Sequence, residues 1–149
     1  MQITNYFDSA DRAHWLTKIK SCEWAAGKYL YKLLTEGGFF DMAGEGARLL
    51  LLTEGEELIS FCTYAPKDDI VPTELTPWVG FVYTYPQFRG KRYFGLLLDE
   101  ALKLAASEGR EAVYISTDHV GLYEKYGCEF LRTMTDVHGE DARVYVKRG

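Results

Sequence analysis

Residues Gln87 to Tyr93 read Gln-Phe-Arg-Gly-Lys-Arg-Tyr, three cations around one glycine. A strand-like run precedes them and a helical run follows directly. Amides at a helix start have no intrahelical acceptor and point outward, so they suit phosphate oxygens. Gly90 lets the backbone approach closely, and Arg89, Lys91 and Arg92 reinforce the positive end of the helix dipole. The string lacks the GK[ST] ending of a P-loop and is not GxGxxG. By mechanism alone the segment is a phosphate cradle or a tight basic turn.

Such a cradle needs a strand to deliver it and a helix to leave it. Trp78 to Tyr85 supplies the strand, rich in aromatic and β-branched residues. Phe94, Leu97, Leu98, Ala101, Leu104 and Ala105 follow the spacing of an amphipathic helix, with Asp99, Glu100 and Lys103 on other faces and Gly109 as the stop. Upstream, the pattern predicts a strand over Ile3 to Phe7 and a helix carrying Trp15, Leu16 and Ile19, with Asp8 and Ser9 as capping candidates. A second helix over Trp24 to Thr35 ends at Gly37-Gly38. Two strands, Arg48 to Thr53 and Leu58 to Tyr64, flank Glu54 to Glu57 as a hairpin. Pro66 to Pro77 reads as a loop. Downstream come a strand over Ala112 to Thr117, a short helix over Val120 to Tyr126, and a hairpin of Phe130 to Thr135 with Ala142 to Lys147. The order β-α-α-β-β-β-α-β-α-β-β defines a mixed α/β fold.

The chain has 149 residues with 22 acidic and 17 basic side chains, a formal charge of −5. That length suits one domain spanning 1–149 with one substantial core. The acidic balance argues against a general nucleic-acid binder. No apolar run reaches membrane-spanning length, and the start lacks the basic-then-apolar pattern of a secretory signal. Cys22, Cys62 and Cys128 are odd in number and widely spaced, so neither a disulfide framework nor a zinc site is expected, and a cytoplasmic location is. The charge is unevenly spread. Between Glu36 and Glu74 lie nine acidic and two basic residues, a local balance of −7, whereas no acid lies between Glu74 and Asp99. Charge clustering on solvated loops explains this, as does an anion site beside an acidic rim.

The string from Pro86 to Arg92 resembles the Q/R-x-x-G-x-G/A signature of the GNAT superfamily of acyl-CoA-dependent N-acetyltransferases. Gln87 and Gly90 match, while Arg92 stands where the family prefers Gly or Ala. Because Ala is accepted there, the resemblance implies that a positive φ is not demanded at Arg92. The long side chain either strengthens the anion site or narrows it. The resemblance extends along nearly the whole chain: two N-terminal helices, a hairpin, the central strand and the motif helix. The string Leu122-Tyr123-Glu124-Lys125-Tyr126-Gly127 then resembles the family's LYEKLG, followed by a final hairpin. It implies a mostly antiparallel central sheet flanked by helices.

The resemblance implies acetyl-CoA as cosubstrate, an amine as acceptor and no metal, nucleic acid or membrane; a homodimer is left open. It places backbone of Val82, Tyr83 and Thr84 along the pantetheine arm, and amides of Gln87, Phe88, Arg89, Gly90, Lys91, Arg92 and Tyr93 around the pyrophosphate. Tyr123 matches the tyrosine that relatives place beside the departing sulfur. A phenol titrating near about 10 can protonate a thiolate whose acid titrates near about 8.5. Tyr126 is its rival, and either can instead be a packing aromatic. The central strand carries no carboxylate, so the base stays open among Glu74, Asp68, Asp69, Asp118 and His119; for Asp118 a helix cap is the competing role. Trp15, Trp24, Tyr29 and Tyr31 read as packing. Gly37 to Phe40 is either a substrate lip or a loop ending a helix. The acidic stretch suggests a cationic small molecule as acceptor, with a peptide amine as the other option. A non-catalytic acyl-CoA-binding module of the same fold is the alternative function.

Overall fold

In a computed structural model describing residues 1–149, the chain forms a seven-stranded sheet with helices on both faces. Chain order runs β1 (Gln2–Asn5), α1 (Arg12–Lys20), α2 (Ala25–Glu36), α3 (Phe39–Ala43), β2 (Arg48–Glu54) and β3 (Glu57–Ala65). It continues with β4 (Trp78–Thr84), α4 (Phe94–Ser107), β5 (Ala112–Thr117), β6 (Glu129–Thr135) and β7 (Asp141–Arg148). The strands lie side by side as β1-β2-β3-β4-β5-β7-β6. All neighbours are antiparallel except β4 and β5.

The sheet is buried on both faces at β2 and β3, which explains why β2 reads as continuous leucine. Successive side chains on a strand point to opposite faces. Leu50 and Leu52 accordingly pack with Phe94, Leu97, Leu98 and Ala101 of α4. Leu49 and Leu51 pack with Trp15 and Ile19 of α1 and Leu30 and Leu33 of α2. Leu97 is fully buried, and its truncation to Ala costs about 2–5 kcal/mol.

Strand and helix expectations hold within a residue or two for α2, β2, β3, β4 and β5. The first strand stops at Asn5, and Tyr6 to Asp8 forms a 3-10 turn whose Phe7 amide donates to the Asn5 side chain at 3.3 Å. Neither Asp8 nor Ser9 caps α1, which starts at Arg12; Ser9 Oγ accepts from the Asp11 amide instead. Gly37 to Phe40 contains the start of α3, a short helix absent from the expected order. Two consecutive glycines at φ +87° and +98° break α2, and the apolar Phe39 is then buried against the core. The short helix expected from Val120 is a 3-10 turn over Tyr123–Tyr126, ended by Gly127 at φ +81°.

No helix is long and apolar enough to cross a membrane. All three cysteines are free and buried.

Candidate active site

The site begins where the sheet comes apart. Strand β4 pairs with β5 only at Trp78 and Tyr114, and beyond that point the two diverge. On its other edge β4 carries a bulge. Thr63 pairs with Gly80 and Phe61 with Tyr83, so Phe81 and Val82 together oppose Cys62. Phe81 sits at φ +47°, a conformation costly for a bulky residue. A bulge bends its strand and re-aims side chains. Here it turns β4 into the wall between two cavities.

The first cavity, about 480 Å³, lies between the ends of β4 and the start of α4. Val82, Tyr83, Thr84, Phe88, Arg89, Gly90, Arg92 and Tyr93 line it, while Gln87 and Lys91 stand exposed outside the lining. No side chain caps α4, and the amides of Gly90, Lys91, Arg92 and Tyr93 donate to no acceptor in the chain. Four open amides among three cations fit a pyrophosphate. Gly90 sits at φ +87°, where a side chain would be strained. Arg89 is anchored, its Nε donating to the Thr84 carbonyl at 2.8 Å and its guanidinium 5.4 Å from the Tyr83 ring.

Arg92 corrects an expectation. Its φ is +57°, so the position does demand the left-handed region. That explains a glycine preference, and the arginine bears a cost of about 1–2 kcal/mol. Its guanidinium donates to the Lys125 carbonyl at 3.1 Å. The motif loop is thereby tied to the turn bearing Tyr123.

The second cavity, about 930 Å³, lies on the other side of the bulge. Its polar lining includes Asp41, Lys67, Asp68, Asp69, Asp118, His119, Asp136 and His138; Trp24, Tyr29 and Phe81 give it an aromatic wall. Gly80 makes room here, because a side chain on it would strike the Asp68 carboxyl and approach Thr63 Oγ1. Burial raises Asp68 to about 7, and the neighbouring Asp69 charge adds to the shift. Asp69 Oδ1 is buried without a hydrogen-bond partner, while the Asp69 carbonyl accepts from the Val137 amide at 2.8 Å. The carboxyl pair is thus held between the β3–β4 and β6–β7 loops.

Tyr123 is buried, with its ring edge-on to Phe94 at 5.9 Å. Its phenol is pushed up chiefly by burial, then by Cys62, Cys128, Tyr126 and Asp68, so it stays protonated at neutral pH. Tyr123 and His119 line both cavities, whereas Tyr126 lines only the first. Asp118 lines the second cavity and is exposed; it caps no helix, and the local turn is closed by the His119 amide donating to Thr117 Oγ1 at 3.1 Å. Glu74 is exposed and belongs to neither cavity. Trp24 lines both cavities and half-exposed Tyr29 lines the second, so these two are not simply packing residues. Trp24 at the start of α2 was hidden by its ordinary aromatic appearance; Gly80 next to a bulge was the available signal for the Asp68 approach. No group of three or more His, Cys, Asp or Glu side chains is placed to hold a metal ion.

This order of strands and helices is that of an acetyltransferase fold, and residues 28–131 match the model of the acetyltransferase (GNAT) domain. The chain belongs to the GNAT acetyltransferase family. Solved structures of similar fold include the aminoglycoside 6'-N-acetyltransferase from Enterococcus faecium, at TM-score 0.67 and 12% identity over 99% of this chain and 97% of that one. The ribosomal-protein-alanine N-acetyltransferase from Brucella melitensis gives 0.60 and 17% over the whole of both chains. A GNAT family acetyltransferase from Elizabethkingia anophelis, solved with acetyl-CoA bound, gives 0.63 and 15% over 99% and 97%. No curated protein is a significant sequence match.

Proposed function

We propose that the protein transfers the acetyl group of acetyl-CoA directly to an amino group, in a ternary complex and without an acyl-enzyme. The observation that carries this reading is the meeting of the two cavities at the β4 bulge, with Asp68 on one side and Tyr123 at the junction. The open amides from Gly90 to Tyr93 and the cations Arg89 and Arg92 hold the pyrophosphate. The exposed edge of β4 around Val82, Tyr83 and Thr84 pairs with the pantetheine arm. This fixes the thioester at the junction, where orientation supplies much of the rate.

An incoming ammonium must lose a proton before it can attack. Asp68, raised to about 7, is the base we assign, with Asp69 keeping its affinity for the proton high. As the nitrogen–carbon bond forms and the carbon–sulfur bond breaks, Tyr123 donates its proton to the departing thiolate, and the proton shed by the new amide nitrogen returns the phenolate to phenol. Glu74, Asp118 and His119 are weaker base candidates, being exposed. The placement of Asp68 and Tyr123 favours turnover over a module that only binds acyl-CoA.

The acceptor we favour is a small cationic amine, because five aspartates line the second cavity against one lysine. The Enterococcus faecium relative is named for a small-molecule acceptor and the Brucella melitensis relative for a protein amine; the aspartate-lined cavity of about 930 Å³ supports the former class here. Buried free thiols suit action in the cytoplasm. The test is thiol release from acetyl-CoA across a panel of cationic, neutral and anionic amines. Release with cationic amines is expected. Binding of acetyl-CoA with no release from any amine would leave the binding-module reading standing instead.

A further inference from the structure

We propose that Trp24 is the acyl-length gate of this enzyme, restricting the transferred group to two or three carbons. This rests on the acetyl-transfer reading above. The two cavities share four lining residues: Trp24, Val82, His119 and Tyr123. A thioester carbonyl reached by CoA from one side and by an amine from the other must lie among them. The acyl chain therefore occupies the space these side chains leave.

Three of the four have limited influence on that space. His119 is exposed, Val82 is fixed on the bulged strand, and Tyr123 is locked into the core between Phe94 and Tyr145 at 5.9 and 6.1 Å. Trp24 comes from the opposite side, at the start of α2, and carries the largest side chain of the set. Its indole stacks on Tyr83 at 5.5 Å with the planes 8° apart. Tyr83 is itself braced by Phe61 at 5.5 Å, Tyr85 at 5.0 Å and the Arg89 guanidinium at 5.4 Å. Behind the indole, Gly27 leaves room that a side chain would take: its Cβ would lie 2.6 Å from Cys22 Sγ and 3.6 Å from Trp24 Cε3. An indole stacked on so braced a ring does not swing aside cheaply. A longer acyl chain must then run into the second cavity, where it competes with the amine for the approach to Asp68.

The experiment measures kcat/KM for acetyl-, propionyl-, butyryl- and hexanoyl-CoA with one accepted amine, and the affinity of each thioester without amine. Wild type, Trp24→Phe and Trp24→Ala are compared, with circular dichroism to verify folding. Wild type should prefer acetyl- over butyryl-CoA by about 100-fold, since each methylene is worth roughly 10-fold or more in a tight slot. Trp24→Ala should shift the butyryl-to-acetyl ratio upward by at least about 10-fold, and Trp24→Phe by less. Equal use of hexanoyl- and acetyl-CoA by wild type, or an unchanged ratio in both folded variants, would overturn the gate. If no amine is acetylated, the acetyl-transfer reading fails, and the thioester affinities decide the gate: a gain in Trp24→Ala confined to butyryl- and hexanoyl-CoA supports it, and the same relative affinities in wild type and both variants overturn it. If Trp24→Ala does not fold, the ratio in Trp24→Phe decides.

Discussion

The cavities on either side of the β4 bulge are built in different ways. The one at the start of α4 is bordered by consecutive residues, Gly90 to Tyr93, whose backbone amides donate to no acceptor in the chain. The other is assembled from side chains far apart in the chain, among them Trp24, Asp68, Asp118 and Asp136. Backbone recognition tolerates changes of side chain; a side-chain cavity does not. The first is therefore suited to an invariant cosubstrate and the second to a particular acceptor.

Asp68 offers the severest test of that contrast. Asp68→Asn should lower kcat/KM about 100- to 1,000-fold at pH 8, read by thiol release. The wild-type rate should rise with pH through about 7, where Asp68 loses its proton, and the variant profile should be flat there. A steep profile in the variant would move the base elsewhere. Tyr123→Phe comes next, with kcat down about 10- to 100-fold. Unchanged turnover would remove Tyr123 from the mechanism.

Stability reverses the order of the two Asp68 forms. The carboxyl is raised from an ordinary 3.8 to about 7, so its contribution is fully present below 3.8 and is lost as pH climbs through about 7. Thermal unfolding should show Asp68→Asn gaining on wild type as pH rises, to about 1–2 kcal/mol at pH 8. The smallest effect belongs to the backbone cavity. Arg92→Gly relieves the left-handed strain but removes a cation and the bond to the Lys125 carbonyl. Affinity for CoA, measured by calorimetry, should fall only about 3- to 10-fold, and less at high salt. A larger loss would mean that side chains rather than amides hold the pyrophosphate.

The same contrast explains what was legible in the sequence. The run from Trp78 to Ser107 announces strand, glycine loop and helix through local periodicity alone, and the cavity we propose for the cosubstrate adjoins that loop. The cavity we propose for the acceptor depends on tertiary placement. Asp68 and Glu74 look equivalent on one proline-rich loop, yet only Asp68 reaches Gly80, while Glu74 faces solvent. The φ of Arg92 was illegible because loop closure, not its side chain, sets it. Helix α3 was hidden by five residues too few to show a period.

One consequence reaches beyond catalysis. By parting from β5 after Trp78, strand β4 becomes an edge strand in the middle of a sheet. Free edges invite pairing with foreign strands and so threaten aggregation. The left-handed kink at Phe81 breaks the flat template such a stranger would need. In the cell, saturation with the cosubstrate would thus also act as self-protection, sealing the seam where the protein is most open to misassembly.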